Sequence, residues 1–69
     1  MKFKLNDRVR YIGSIKELYN QPANVIYISQ ELYGIEFDND INYPLHNLCG
    51  EADSNKCWYV IEEYIKKEK

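Results

Sequence analysis

Histidine and cysteine are scarce in this chain. It holds one histidine and two cysteines, and all three fall within a single stretch, PLHNLCGEADSNKCW. No G-x-S-x-G elbow, P-loop, H-E-x-x-H helix or paired-carboxylate arrangement accompanies them, so the motif-bearing routes to catalysis are missing. No apolar run approaches the ~20 residues that a spanning helix needs, and no membrane partner is expected. The opening MKFKLNDRV lacks the apolar core of a secretory signal, which makes a reducing cytoplasm the expected compartment. There Cys49 and Cys57 are expected as two free thiols. Internal repeats and low-complexity tracts are absent as well. The most telling gap is one of charge: between Glu17 and Asn55 there is no lysine or arginine.

That gap divides an otherwise ordinary composition, 45% hydrophobic and 29% charged. Lys2, Lys4, Arg8, Arg10 and Lys16 come first, opposed there only by Asp7. Glu31, Glu36, Asp38, Asp40, Glu51 and Asp53 fill the middle, and Lys56, Lys66, Lys67 and Lys69 follow. The net charge of −2 hides this asymmetry. A surface built on phosphate contacts needs converging cations, so the acidic middle argues against nucleic acid as the leading partner. At 69 residues the chain makes one domain, residues 1–69. A domain this short buries only ~60% of the surface its unfolded form exposes. Seven tyrosines suit a thin core, because each covers apolar area while keeping a wet hydroxyl.

Hydrophobic periodicity predicts strands. DRVRYI alternates, with Val9 and Tyr11 on one face and Arg8 and Arg10 on the other. ANVIYIS is apolar from Val25 to Ile28 and reads as a strand covered on both faces or at a sheet centre. LYGIEFD sets Tyr33, Ile35 and Phe37 opposite Gly34 and Glu36, and Ser29–Glu31 make a hairpin-length connection before it. CWYVIEEYI supplies the fourth strand, with Trp58 and Val60 on one side. EEYIKKEK reads as a fifth strand or a terminal helical turn. GSIKELYNQP is a long loop with room for one helical turn. The segment from Asn39 to Lys56 is a second long loop, and connections of ~12 residues or more in a small domain tend to carry function.

This pattern is all-β: a small barrel of four to five strands with two long loops, in which closure removes exposed edges. FKLNDRVRYIG, ANVIYI and YGIEFD resemble the opening of SH3-like barrels of the KOW and Tudor kind. LHNLCG and CWYV resemble a group of small SH3-like proteins of bacteriophages and prophages, matching at His46, Leu48, Gly50 and Trp58. The chain departs from that pattern at Ala23, where glycine is usual, and at Cys49 and Cys57. The expected core is Val9, Tyr11, Val25, Tyr27, Ile35, Phe37, Leu48, Trp58 and Val60, with Tyr33 beside them.

His46, Cys49 and Cys57 offer three soft ligands, one fewer than tetrahedral structural zinc requires; a fourth would have to be Asp53 or Glu51. No metal and no other cofactor is expected. A Cys–His nucleophile also needs an orienting group, an oxyanion donor and a water-excluding pocket, which a loop of this size does not build. No catalytic residue is expected, and the chain is read as a non-enzyme with no small-molecule ligand. A Cys49–Cys57 disulfide would stabilise by ~2–3 kcal/mol, but in an oxidising setting only. The stretch is expected to be structural: Leu48 plugs one end of the barrel, His46 bonds a backbone carbonyl and Gly50 turns the chain.

Seven tyrosines exceed what so small a core can hold. Tyr19, Tyr43 and Tyr59 are assigned to an exposed groove, with Asp38, Asp40 and Glu51 in the loops around it. Tyrosines and acids together recognise Arg and Lys through cation–π contact and charge pairing. The expected partner is therefore a protein with a basic surface. The phage resemblance implies an accessory protein in the cytoplasm of a bacterial host that blocks a host protein, such as a CRISPR nuclease. The alternative is a nucleic-acid-binding SH3-like or KOW-like domain using Lys4, Arg8, Arg10 and Lys16.

Overall fold

A computed structural model describes residues 2–68. The alternating segment forms β1 (Arg8–Tyr11), with Val9 and Tyr11 buried and the arginines facing outward. β2 (Pro22–Ile28), β3 (Tyr33–Phe37), β4 (Cys57–Val60) and β5 (Ile65–Lys67) follow. They pair antiparallel into one five-stranded sheet of order β4-β3-β2-β1-β5. No α-helix occurs among the described residues, and none there is long and apolar enough to cross a membrane. Single 3-10 turns stand at Lys16–Leu18, Leu48–Gly50 and Glu62–Tyr64. The C-terminal stretch thus holds both of the forms expected of it, a turn and then a short strand.

β2 is the central strand, as its unbroken apolar run requires, and its pairing with β3 changes register partway. Val25 stands opposite Ile35, yet Tyr27 stands opposite Gly34, so Ile26 is the extra residue of a β-bulge. The slip of one residue moves every later side chain to the other face. Ile28 turns inward to pack on the core, and Tyr27 turns outward. The expected core position Tyr27 is corrected on that ground. Trp58 lies on the core face opposite Ile35 but is only half-buried, packing at the rim rather than inside.

The core gathers Val9, Tyr11, Val25, Tyr33, Ile35, Phe37 and Val60 with Phe3, Leu18, Ala23 and Ile65. Burying each large member stabilises by roughly 1.5–3 kcal/mol. Phe3 and Leu18 enter from segments without strand periodicity. Leu18 is carried in by the first 3-10 turn. Phe3 stands edge-on to Tyr33, with centroids 5.4 Å apart. The Tyr33 hydroxyl accepts from the amides of Lys2 (3.0 Å) and Phe3 (3.2 Å) and donates to Glu62 Oε1 (3.3 Å). One buried phenol thereby ties the N-terminal segment to the turn between β4 and β5.

Candidate functional site

β4 alternates as its sequence dictates. Trp58 and Val60 face the core, while Cys57 and Tyr59 face out beside Glu36 and Gly34 of β3. The bulge brings Tyr27 to the same outer row as Gly34 and Tyr59. Glycine leaves a vacancy there, and Leu48 of the second long loop fills it. A Cβ built on Gly34 would stand 2.5 Å from Leu48 Cδ1 and 2.9 Å from Tyr27 Cβ. Leu48 is therefore buried on the outer face of β3, outside the main core, rather than at the end of a barrel as expected.

The loop reaches this position through a tight left-handed turn. Leu48, Cys49 and Gly50 have φ of 55, 56 and 98°. Only glycine adopts that region without steric cost, so two of the three positions are strained. The flanking groups hold them. Asn47 accepts from Gly50 N through both its carbonyl and its side chain, each at 3.1 Å, and its carbonyl also accepts from Ala52 N at 3.0 Å. His46 Nδ1 accepts from Leu48 N at 3.0 Å. The expected histidine bond to a carbonyl is corrected here: an unprotonated Nδ1 receives an amide hydrogen. His46 also exchanges backbone bonds with Cys57 (3.1 and 3.0 Å), fixing the loop to the outer edge of β4.

These constraints bring aromatic rings into contact around the edge of β4, with His46 touching both Trp58 on the core face and Tyr59 on the outer face. Centroids run Tyr43–Trp58 5.4 Å, Trp58–His46 5.1 Å, His46–Tyr59 5.5 Å and Tyr59–Tyr27 6.0 Å. All five are half-buried, so each keeps part of its surface in solvent. Burial pushes the Tyr59 phenol above its ordinary pKa, and Cys49, Tyr27 and the Glu51 carboxylate add to the shift. Cys57 lies buried beneath the loop, its S–H aimed at the Ser54 carbonyl at 3.8 Å, and desolvation raises its thiol pKa. Cys49 is exposed, and both cysteines are free.

The predicted site residues divide into separate groups. Tyr43 and Tyr59 belong to the ladder, and Glu51 stands exposed on the turn beside it, its N–H donating to the Leu48 carbonyl at 3.2 Å. Tyr19 is 59% exposed on the first loop and makes no ring contact among the described residues. Asp38 is engaged by Arg8, whose two Nη atoms meet its two oxygens. Hydrogen bonding to that guanidinium holds the Asp38 carboxyl below its ordinary pKa. Asp40 is fully in solvent, 3.7 Å from Lys56. Arg10 gives its Nε to Glu68 at 2.7 Å and an Nη to the Asn20 carbonyl at 2.6 Å, and Arg8 lies 3.6 Å from the same carboxylate. Arg8 and Arg10 share one outer face as expected, but acids from the loop and the C-terminal segment already occupy their donors. Lys4 and Lys16 stay exposed.

Tyr27, Trp58 and His46 were assigned to packing by sequence reasoning and belong to the ladder. Gly34 carried the available signal, since an isolated glycine in a strand pattern marks a bulge or a close approach. Among the described residues no pocket opens, and no group of three or more His, Cys, Asp or Glu is placed to hold a metal ion. Compared with protein-family models, curated proteins and solved structures, the chain matches none.

Proposed function

We propose that this chain is a non-catalytic binding module, a small barrel of the SH3-like kind, that takes a basic segment of a protein partner along the rings beside β4. Support for the barrel comes from the strand order β4-β3-β2-β1-β5, the long connections after β1 and β3, and the 3-10 turn joining β4 to β5. The observation that carries the function is the ladder itself. Five half-buried rings touch in series around the edge of β4, and three of them, Tyr27, Tyr43 and His46, come from the stretch without lysine or arginine, while the Glu51 carboxylate acts on Tyr59. Aromatic faces and a carboxylate together favour a cation. A nucleic-acid surface would set Lys or Arg among the rings instead.

The setting rests on resemblance: a phage or prophage accessory protein, acting in the bacterial cytoplasm by occupying a host protein such as a defence nuclease. The nucleic-acid alternative keeps Lys4 and Lys16 as open cations, while Arg8 and Arg10 are neutralised by Asp38 and Glu68.

Fluorescence anisotropy with two labelled probes, a polylysine peptide and a short DNA duplex, tests this. Polylysine is expected to bind in a salt-sensitive way, and Glu51→Lys to weaken it by about tenfold. Asp38 and Arg8 are left unchanged because each already engages the other. DNA binding that drops on Lys4→Glu and Lys16→Glu, with polylysine inert, overturns the reading. The setting is checked by expressing the chain in a bacterium whose defence restricts a phage; unchanged restriction counts against it.

A further inference from the structure

We propose that His46 is a proton-operated latch on the second long loop: as a neutral ring it holds Leu48 over Gly34, and once protonated it lets Leu48 swing off the outer face of β3. The device is independent of what binds beside β4.

The latch is one hydrogen bond. His46 Nδ1 accepts the Leu48 amide hydrogen at 3.0 Å, and no other acceptor meets that amide among the described residues. Asparagine makes the same bond, from a side-chain acceptor to the amide two residues on, in an Asx turn. Imidazole differs in one respect: its acceptor nitrogen takes a proton between about pH 8 and 5, the range in which histidine ordinarily changes charge. Both nitrogens of the charged ring are donors. An N–H would then face an N–H, and the turn loses the bond that closes it.

Strain favours opening, and the main core does not oppose it. Leu48 and Cys49 lie in the left-handed region at φ of 55 and 56°, which is costly for a residue with a Cβ. The bonds from Gly50 and Ala52 to Asn47 tie the turn to itself and not to β3. Leu48 is wholly buried yet stands outside the main core, so it can leave without unpacking Val9, Val25 or Phe37.

His46 is the one histidine of the chain. β4 brings the Tyr59 phenol and the Cys57 thiol to this loop, and burial pushes both up, so both stay neutral through that range. Glu36 lies opposite Cys57 on β3 and accepts from the Ser54 hydroxyl at 2.7 Å. Lys56, just before β4, points to Asp40 and the Asp38 carbonyl. The turn itself carries Cys49 and Glu51, both exposed. No ion pair among the described residues includes His46, so none there holds the charged ring in place.

The test follows the full-length, nitrogen-15-labelled chain from about pH 8 to about pH 5. It reads the ring-proton shift of His46 and the hydrogen-exchange protection of the Leu48 amide, corrected for the intrinsic pH dependence of exchange. Protection is expected to fall about tenfold or more with the midpoint of the ring signal, as a buried amide loses its acceptor. The Gly34 amide should shift with the same midpoint, while Val9 and Val25 keep their protection. His46→Asn retains an acceptor that takes no proton, so Leu48 should stay protected throughout; in His46→Ala it should be unprotected even at the upper end. Leu48 protection that survives titration of the ring overturns the proposal. A fall at the same midpoint in His46→Asn also overturns it, because another group is then responsible. Joint loss at Val9 and Val25 overturns it too, since the whole domain is then unfolding. The first and last of these outcomes are read on the native chain and need no variant.

Discussion

Gly34→Ala is the sharpest probe of how the second loop is held. The new methyl would stand 2.5 Å from Leu48 Cδ1 and 2.9 Å from Tyr27 Cβ, where carbon atoms in contact sit ~3.5–4.0 Å apart. Roughly 1 Å must be found. Tyr27 Cβ moves only with the backbone of the central strand, so the strain falls on Leu48. That side chain is wholly buried, and swinging it into solvent forfeits ~1.5–3 kcal/mol. Alanine recovers ~0.5–1 kcal/mol over glycine through the lower entropy of the unfolded chain. The expected net loss is about 1–2 kcal/mol, read as a lower urea midpoint. Leu48→Ala alone should cost about 2–5 kcal/mol. The double variant should cost less than the sum, because the alanine methyl enters the space that Leu48 leaves. Gly34→Ala at or above wild-type stability, or strictly additive costs, would refute the placement of Leu48 over Gly34.

Tyr33→Phe removes the acceptor for the Lys2 and Phe3 amides, and should cost about 1–3 kcal/mol and release their hydrogen-exchange protection; unchanged exchange would count against the tie. Ellman's reagent should titrate Cys49 at once and Cys57 only on unfolding, because burial and a raised pKa both suppress the second thiolate; two fast thiols would contradict the covered position of Cys57. Asp38→Asn should cost about 1 kcal/mol or less at neutral pH, since the Arg8 pair is partly exposed. The folded pKa of Asp38 is lowered, so its contribution is complete above the ordinary value of 3.8 and disappears as pH falls through the folded value. The two stability curves should therefore converge in acid, and a gap that persists there would assign the effect to something other than charge.

Strand identity was legible because it is written locally. Val9 and Tyr11, or Tyr33, Ile35 and Phe37, alternate with polar or small residues, and the sheet keeps that alternation. The bulge at Ile26 was hidden, since four apolar residues in a row satisfy either register and only the pairing with Gly34 selects one. Leu48 was rightly marked as buried, but its neighbours are distant in sequence, so periodicity could not tell which face it covers. The charge map was read as two opposing patches. Arg8 and Asp38 lie 30 residues apart, and their pairing joins one residue from each proposed site. Glu68, which belongs to neither site, neutralises Arg10 across 58 residues. Partial cancellation of two patches is a property of the fold and has no local signature. The ring ladder combines both limits, since Tyr27 reaches it through the bulge and His46 through a turn that three left-handed residues make.

The order of the sheet also sets the order in which it can be made. β1 lies between β2 and β5, with Val9 opposite Lys67 and Tyr11 opposite Ile65. A ribosome delivers β2, β3 and β4 in succession, each beside the strand before it, so two hairpins can close while the chain is still growing. The remaining neighbour of β1 emerges last. Until residues 65–67 leave the exit tunnel, one side of β1 is unpaired and the core lacks Ile65. Closing so long a span carries a chain-entropy cost that contacts repay only afterwards, and such non-local topologies fold slowly for their size. Completion of this domain thus waits on its last strand, β5.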